Sequence, residues 1–258
     1  MLKLHMMKRK TKGSFMSRPT RRYDGIILHL HKAGQYQGLV VFTKQAGIVR
    51  VFARTSRKGK QGFGSLQPLG AITFDALPQE NSLHLSEYDC RSNPAIRELT
   101  LDRYIYSQLF VEMIEALVPP AEPDASVYTL LLTYCQAIRT KDIRMVTIIA
   151  GWQLIALAGF APDLETVRLF SAYNELGESV YYVGDEVPEQ MQEIPLSSAL
   201  KRDWQQVLAY RWGQTETVHF QSRHVALLEQ LLYQYVVQCS EKPLRSLALW
   251  QDIQKTTM

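Results

Sequence analysis

Cysteine is scarce in this 258-residue chain, with only Cys90, Cys135 and Cys239, each far from the others. An odd and scattered set excludes a disulfide framework and a CxxC zinc site, and points to a reduced, cytoplasmic setting. Long apolar runs are missing too. The longest, Val146 to Pro162, is interrupted by Gln153 and Gly159. It falls short of the roughly eighteen apolar residues of a membrane span and reads as a buried helix. The basic N-terminal stretch has no apolar core of the kind a secretory signal carries. Met16 is a candidate start, which would make residues 1–15 a leader. Carboxylates are nearly absent from residues 1–74, where Asp24 stands alone. A metal-dependent nuclease needs several convergent carboxylates to hold its ions, so that chemistry has no support here. There is no GxSxG nucleophile elbow. Gly59, Gly62 and Gly64 lack the Lys-Ser/Thr that completes a nucleotide phosphate loop, so ATP hydrolysis is unsupported as well.

What the chain does have is charge of one sign at one end. Residues 1–60 hold fifteen Lys and Arg against one carboxylate, while the remaining 198 residues hold fourteen against twenty-four. The net charge of +4 hides this split. A field of one sign on one module implies a polyanionic partner. Nucleic acid fits best, because each phosphate neutralised by a cation releases a condensed counterion. The bland alternative is a solvated basic tail.

The residues divide into two parts near position 93. From Tyr23 to Tyr88 the pattern is β: Ile26 to Leu30, Leu39 to Thr43, Ile48 to Ala53, Ala71 to Ala76 and Ser82 to Tyr88. In the third strand Ile48, Arg50 and Phe52 point one way and Val49, Val51 and Ala53 the other. Five short strands with one long basic connection predict a small barrel of the OB-fold type. From Asn93 the apolar spacing becomes helical. Asn93-Pro94, Asp124, Asp142, Ser197 and Ser222 predict five helix starts, while Pro119-Pro120 and Gly159 predict stops. The expected class is α+β: a basic leader over 1–22, an OB-fold over 23–92 and an α-helical domain over 93–258. An insertion at about 165–195 contains the strand-like Val180 to Val183.

The connection RTSRKGKQGFG carries the densest local signal. Its cations Arg54, Arg57, Lys58 and Lys60 can meet phosphates, and its glycines let backbone approach closely. Phe63 is either a ring that stacks on an unpaired base or an anchor for the loop. Lys44 and Arg50 complete the expected DNA-binding set, with Arg18, Arg21 and Arg22 adding charge without specificity. Tyr36, Phe42, Phe52 and Phe74 are read as barrel interior. His29 and His31 share a strand face but have no Cys or Glu near them in sequence, and are read as surface residues rather than metal ligands.

Three stretches together resemble the RecO family of DNA repair proteins, which are recombination mediators. Val41-Phe42-Thr43, Gly47, Arg50, Ala53-Arg54, Arg57 and Leu66-Gln67-Pro68 match the pattern of the family's N-terminal OB-fold. Leu154 to Leu164 (LIALAGFAPDL) is similar to its "LLxxLGYxPDL", and Lys242 to Ser246 (KPLRS) to its "KPLKS". The resemblance implies binding of single- and double-stranded DNA, annealing of complementary strands and assistance to RecA loading. It also implies partnership with RecR and with the C-terminal tail of the single-stranded-DNA-binding protein. Two departures stand out. Val167 and Phe170 occupy the positions of the first pair of zinc cysteines carried by many relatives, so no metal is expected. Ile148 and Ile149 stand where relatives carry the arginine of the tail site, and the nearest cation is Arg144. Arg144, Ile148 and Trp152 are the expected partner-binding residues on that helix. No catalytic residue and no cofactor are expected. Two alternatives stay open: an RNA-binding OB-fold adaptor, and a metal-dependent nucleic-acid enzyme.

Overall fold

The computed structural model describes residues 19–33, 36–54, 66–79, 82–93, 100–174, 177, 179–184, 189–214 and 220–250. Strands β1 (Arg21–Ala33), β2 (Tyr36–Thr43), β3 (Gly47–Arg54), β4 (Ala71–Gln79) and β5 (Ser82–Arg91) close into a barrel in the order β1-β2-β3-β5-β4. β1 begins at Arg21, so Arg21 and Arg22 are strand residues and not part of a leader. β1 serves two neighbours: Arg21–Ile26 pair with β4 and Gly25–Ala33 with β2, with a register shift between Ile27 and His29. A short parallel pairing, Val51 with Leu83 and Phe52 with His84, joins β3 to β5. Closure removes the unpaired edges that make open sheets prone to aggregation. Tyr23, Ile27, Leu39, Val41, Val51, Ile72, Phe74, Ala76 and Leu83 fill the interior. Tyr23 and Phe74 stack with centroids 5.3 Å apart.

The β2–β3 turn needs glycine at position 47. Its φ is +64°, and a Cβ there would lie 2.1 Å from the Glu122 carbonyl oxygen. Only a residue without a side chain combines that left-handed backbone with so close an approach. Thr43 tightens the turn: its Oγ1 accepts from Ala46 N and donates to Gly47 O, both at 3.0 Å.

The helices are α1 (Leu101–Leu117), α2 (Ala125–Ala137), α3 (Ile143–Leu157), α4 (Ser198–Leu208) and α5 (Ser222–Ser240). Asp124, Asp142 and Ser197 cap α2, α3 and α4 as expected, each accepting from the backbone of the first turn. The start expected at Asn93-Pro94 falls on residues outside the described set. Thr100 caps α1, while Asn93 is buried and donates its side-chain amide to Cys135 O; residues 94–99 lie outside the described set. α3 is the central helix, buried at ten positions, and Gly151 lets it approach Leu232 of α5. The barrel shares this core, because Ile26, Leu28 and Phe42 pack with the helical residues.

Between α3 and α4 lies a three-stranded sheet of β6 (Arg168–Tyr173), β7 (Ser179–Gly184) and β8 (Gln192–Ile194), ordered β7-β6-β8. The strand read at Val180 to Val183 is β7; β6 and β8 have no counterpart in the sequence reading. Helix α5 closes the outer edge of β7. Gln238 Oε1 accepts from Val183 N at 3.3 Å and Gln238 Nε2 donates to Val183 O at 2.7 Å. Gln234 does the same for Tyr181 N and Ser179 O.

Candidate nucleic-acid interface

Register sorts the outer face of β1, β2 and β3 into rows at increasing distance from the helices. The row Ile26–Phe42–Ile48 is covered. There Phe42 stacks on Tyr128 at 6.1 Å, and Ala121 N donates to Ile48 O at 3.0 Å. The next row, His29–Val40–Arg50, is half covered. His29 Nε2 meets Glu115 of α1 at 2.9 Å, while Arg50 at the other end of the row is exposed. The hydrogen bond to Glu115 raises the His29 pKa, burial opposes it, and the charges of Glu115 and Glu112 add to the rise. The third row, His31–Gly38–Phe52–His84, runs across four strands and faces outward.

The expected DNA-binding residues separate along β3. Arg50 sits in mid-strand and the backbone of Arg54 ends the strand. Arg57, Lys58, Lys60 and Phe63 lie in the connection, outside the described residues. Lys44 is at the opposite end, exposed in the β2–β3 turn with its N–H bonded to Asp24 O at 2.8 Å. Eight strand residues at ~3.3 Å each set that turn roughly 20 Å or more from the far end of β3. The turn also lies against Glu122. Phe74 is interior as expected, but Phe42 packs on the helices and Phe52 belongs to the outer face and to neither core. The side chain of Tyr36 is outside the described set. The outward place of Phe52 was legible in part, since alternation puts it on the side of Arg50; which side is inside depends on barrel closure.

The far side of the barrel has the opposite sign. A shallow cavity of about 420 Å³ on β4 and β5 is lined by Asp75, Glu87 and Asp89 around Arg22 and Thr73. Phosphates are repelled by the carboxylates there.

The expected partner residues of α3 are committed to packing. Ile148 and Trp152 are buried, and Trp152 Nε1 donates to Leu228 O of α5 at 3.1 Å. Arg144 reaches solvent but gives Nε and Nη2 to Glu229 Oε2 at 2.9 and 2.6 Å. Helix α5 thus covers this part of α3. The KPLRS segment occupies another place. Lys242 Nζ donates to the carbonyls of Glu115 and Ala116 at the end of α1, and Ser246 binds Glu112 through N and Oγ. His29, Glu112, Glu115, Lys242 and Arg245 line a cavity of about 380 Å³ where barrel, α1 and C-terminal segment meet.

Little in the described residues suits covalent or metal chemistry. No group of three His, Cys, Asp or Glu among them is placed to hold a metal ion. Burial pushes the Cys135 thiol up to about 12 and also raises Cys90 and Cys239, so none is an activated thiolate. The buried His224–Asp203 pair, 2.7 Å apart, joins α4 to the start of α5, where Asp203 also accepts from Gln221 N.

Residues 98–167 match the family model described as "Recombination protein O C terminal". Three curated relatives are named DNA repair protein RecO. That of Koribacter versatilis is 24% identical over 148 residues, 56% of this chain and 61% of the relative. That of Pelotomaculum thermopropionicum is 26% identical over 145 residues, 55% and 56% of the two chains. That of Salinibacter ruber is 24% identical over 181 residues, 66% and 69%. The chain is similar to RecO proteins over part of its length. The matches span about 60% of the length of the first two relatives. The family segment takes in α1, α2 and α3 and ends where β6 begins. The two positions read as replacing zinc cysteines then fall beside and within β6. Val167 packs on the core, and Phe170 is fully buried and faces Tyr182 with centroids 6.3 Å apart. Apolar packing and the glutamines of α5 hold the sheet together here. Among the described residues no helix is long and apolar enough to cross a membrane.

Proposed function

We propose that this chain is a non-enzymatic, DNA-binding recombination mediator in DNA repair. It binds single- and double-stranded DNA, anneals complementary strands and assists RecA loading on coated single strands. RecR and the C-terminal tail of the single-stranded-DNA-binding protein are its protein partners, and Arg144 is the expected tail residue that reaches solvent. The observation that carries this reading is the charge split: the barrel end holds a surplus of fourteen cations while the rest of the chain is acidic. The cationic β1–β3 face and the RecO relatives support the same choice. Arg50, Arg54, Arg57, Lys58 and Lys60 form the phosphate track, with Lys44 a remote contributor and Phe63 a base-stacking ring.

The test is annealing of complementary fluorescent oligonucleotides without ATP and with EDTA, on bare strands and on strands coated with the cognate single-stranded-DNA-binding protein. Faster duplex formation on coated strands is expected. Binding without annealing removes the mediator role, and tighter binding to structured RNA moves the adaptor reading ahead. Replacing Arg57, Lys58 and Lys60 by Ala should weaken binding to all sequences alike. It should also flatten the salt slope by about two to three units, since each phosphate contact contributes about 0.7–0.9. An unchanged slope removes the connection from the interface.

A further inference from the structure

Barrel, α1 and C-terminal segment do not close completely on one another. The cavity of about 380 Å³ at their meeting point has polar groups from all three: His29 from the barrel, Glu112 and Glu115 from α1, Lys242 and Arg245 from beyond α5. Ala116 and Pro243 add apolar wall. Small-molecule sites commonly have this volume and this kind of place, a cleft between two structural units with a few convergent polar groups.

The walls of the cavity are rich in donors and poor in acceptors. Glu115 accepts from His29 Nε2 at 2.9 Å. Glu112 accepts from Ser246 twice, from N at 3.1 Å and from Oγ at 2.8 Å. Both carboxylates thus already serve the protein itself. Lysine and arginine side chains can only donate. Lys242 Nζ contacts the carbonyls of Glu115 and Ala116, but both at 3.4 Å, which is long for a hydrogen bond from a cation. Arg245 brings a planar fork of N–H groups at an exposed position. On the barrel side the hydrogen bond to Glu115 favours the charged form of His29. With that ring protonated, three cationic groups face two carboxylates. A metal ion does not suit such walls, and among the described residues no group of three His, Cys, Asp or Glu is placed to hold one. A phosphate group does suit them, because it offers several acceptor oxygens and its geometry matches the guanidinium fork. The apolar wall calls for an organic body attached to it.

We infer that this seam cavity binds a small organic phosphate, with the phosphate on Arg245 and Lys242 and the body against Ala116 and Pro243. Its walls come from barrel, α1 and C-terminal segment, so a guest ties the three together and stabilises the folded chain in proportion to occupancy. The site stands apart from the DNA-binding reading, since none of the residues assigned there to DNA lines the cavity.

Isothermal titration calorimetry and thermal melts of the full chain, with AMP, ribose 5-phosphate and adenosine at fixed ionic strength, test this. Both phosphate esters should bind and raise Tm, and adenosine should do neither. Arg245→Ala removes an exposed side chain and should weaken AMP binding by about tenfold or more, as expected for lost charge-assisted hydrogen bonds. Arg211→Ala removes an exposed cation that does not line the cavity and should leave AMP binding unchanged. Absence of binding by both esters at up to ~10 mM, which fills even a millimolar site, overturns the inference. Adenosine binding as tightly as AMP overturns the phosphate chemistry, and AMP binding that survives Arg245→Ala overturns the cavity as its place. No nucleic-acid strand is used, so each outcome is independent of whether the chain binds DNA.

Discussion

The barrel and the sheet β6–β8 are both antiparallel in the main, yet they finish their hydrogen bonding in different ways. The barrel closes on itself through β1–β4 and β3–β5, and it keeps an interior cluster of its own. The small sheet has no such interior. Leu169 and Val183 belong to the helical core, and its β7 edge is completed by Gln234 and Gln238, more than fifty residues away in sequence. One β element is self-sufficient, and the other is an appendage of α5. This difference bears on function. A barrel that needs little from the helices can leave an outer face free for a ligand, whereas a sheet that leans on a helix must spend its surface on packing.

The largest effect should come from the barrel interior. Phe74 is 1% exposed and stacks on Tyr23, so Phe74→Ala removes a large buried ring and leaves a cavity. We expect a loss of about 3–5 kcal/mol, read from the urea midpoint at constant m-value. A loss under about 1 kcal/mol would show that the barrel depends on the helices as the small sheet does.

A smaller effect should come from the edge of β7. Gln238→Ala leaves Val183 N–H and C=O without their side-chain partners in a residue only 4% exposed. A loss of about 1–3 kcal/mol is expected from groups orphaned in this way. Hydrogen exchange sharpens the contrast: the Val183 amide should exchange faster while barrel amides hold their protection. Unchanged exchange at Val183 would show that the glutamine is not what closes this edge.

The two regions also differ in how legible they were. The barrel strands could be read because alternation such as IVRVFA is local, and the helix starts could be read because Asp124, Asp142 and Ser197 act within one turn. Asn93 and Thr100 are both capping residue types; Thr100 caps α1, while Asn93 gives its side-chain amide to Cys135 O and the residues after it lie outside the described set. β8 escaped because it is only three residues long, and β6 because RLFSAY has no clear apolar alternation. At the candidate interface, composition grouped Lys44 with the other cations, but only the register of β3 shows that it sits at the helical end. The place of the His31 ring left one local trace, a glycine inside a strand at position 38, which marks close approach without saying what approaches.

The smallest effect concerns the seam between barrel and helices, where His29 meets Glu115 with both side chains about one-third exposed. Such a pair contributes under about 1 kcal/mol, and its signature is the pH dependence. The folded-state pKa of His29 is raised, chiefly by the hydrogen bond to Glu115. The protonated ring therefore favours the folded state. Its contribution is complete below the unfolded value of about 6.5 and is lost as pH rises through the higher folded value. Glu112, Lys242 and Arg245 line the same cavity, and the charge of Glu112 adds to the rise. Thermal melts across that window should show stability falling with pH in the unaltered protein and a flatter profile in His29→Gln. Equal slopes in the two proteins would remove this pair from the seam, leaving the apolar row Ile26–Phe42–Ile48 to hold barrel and helices together.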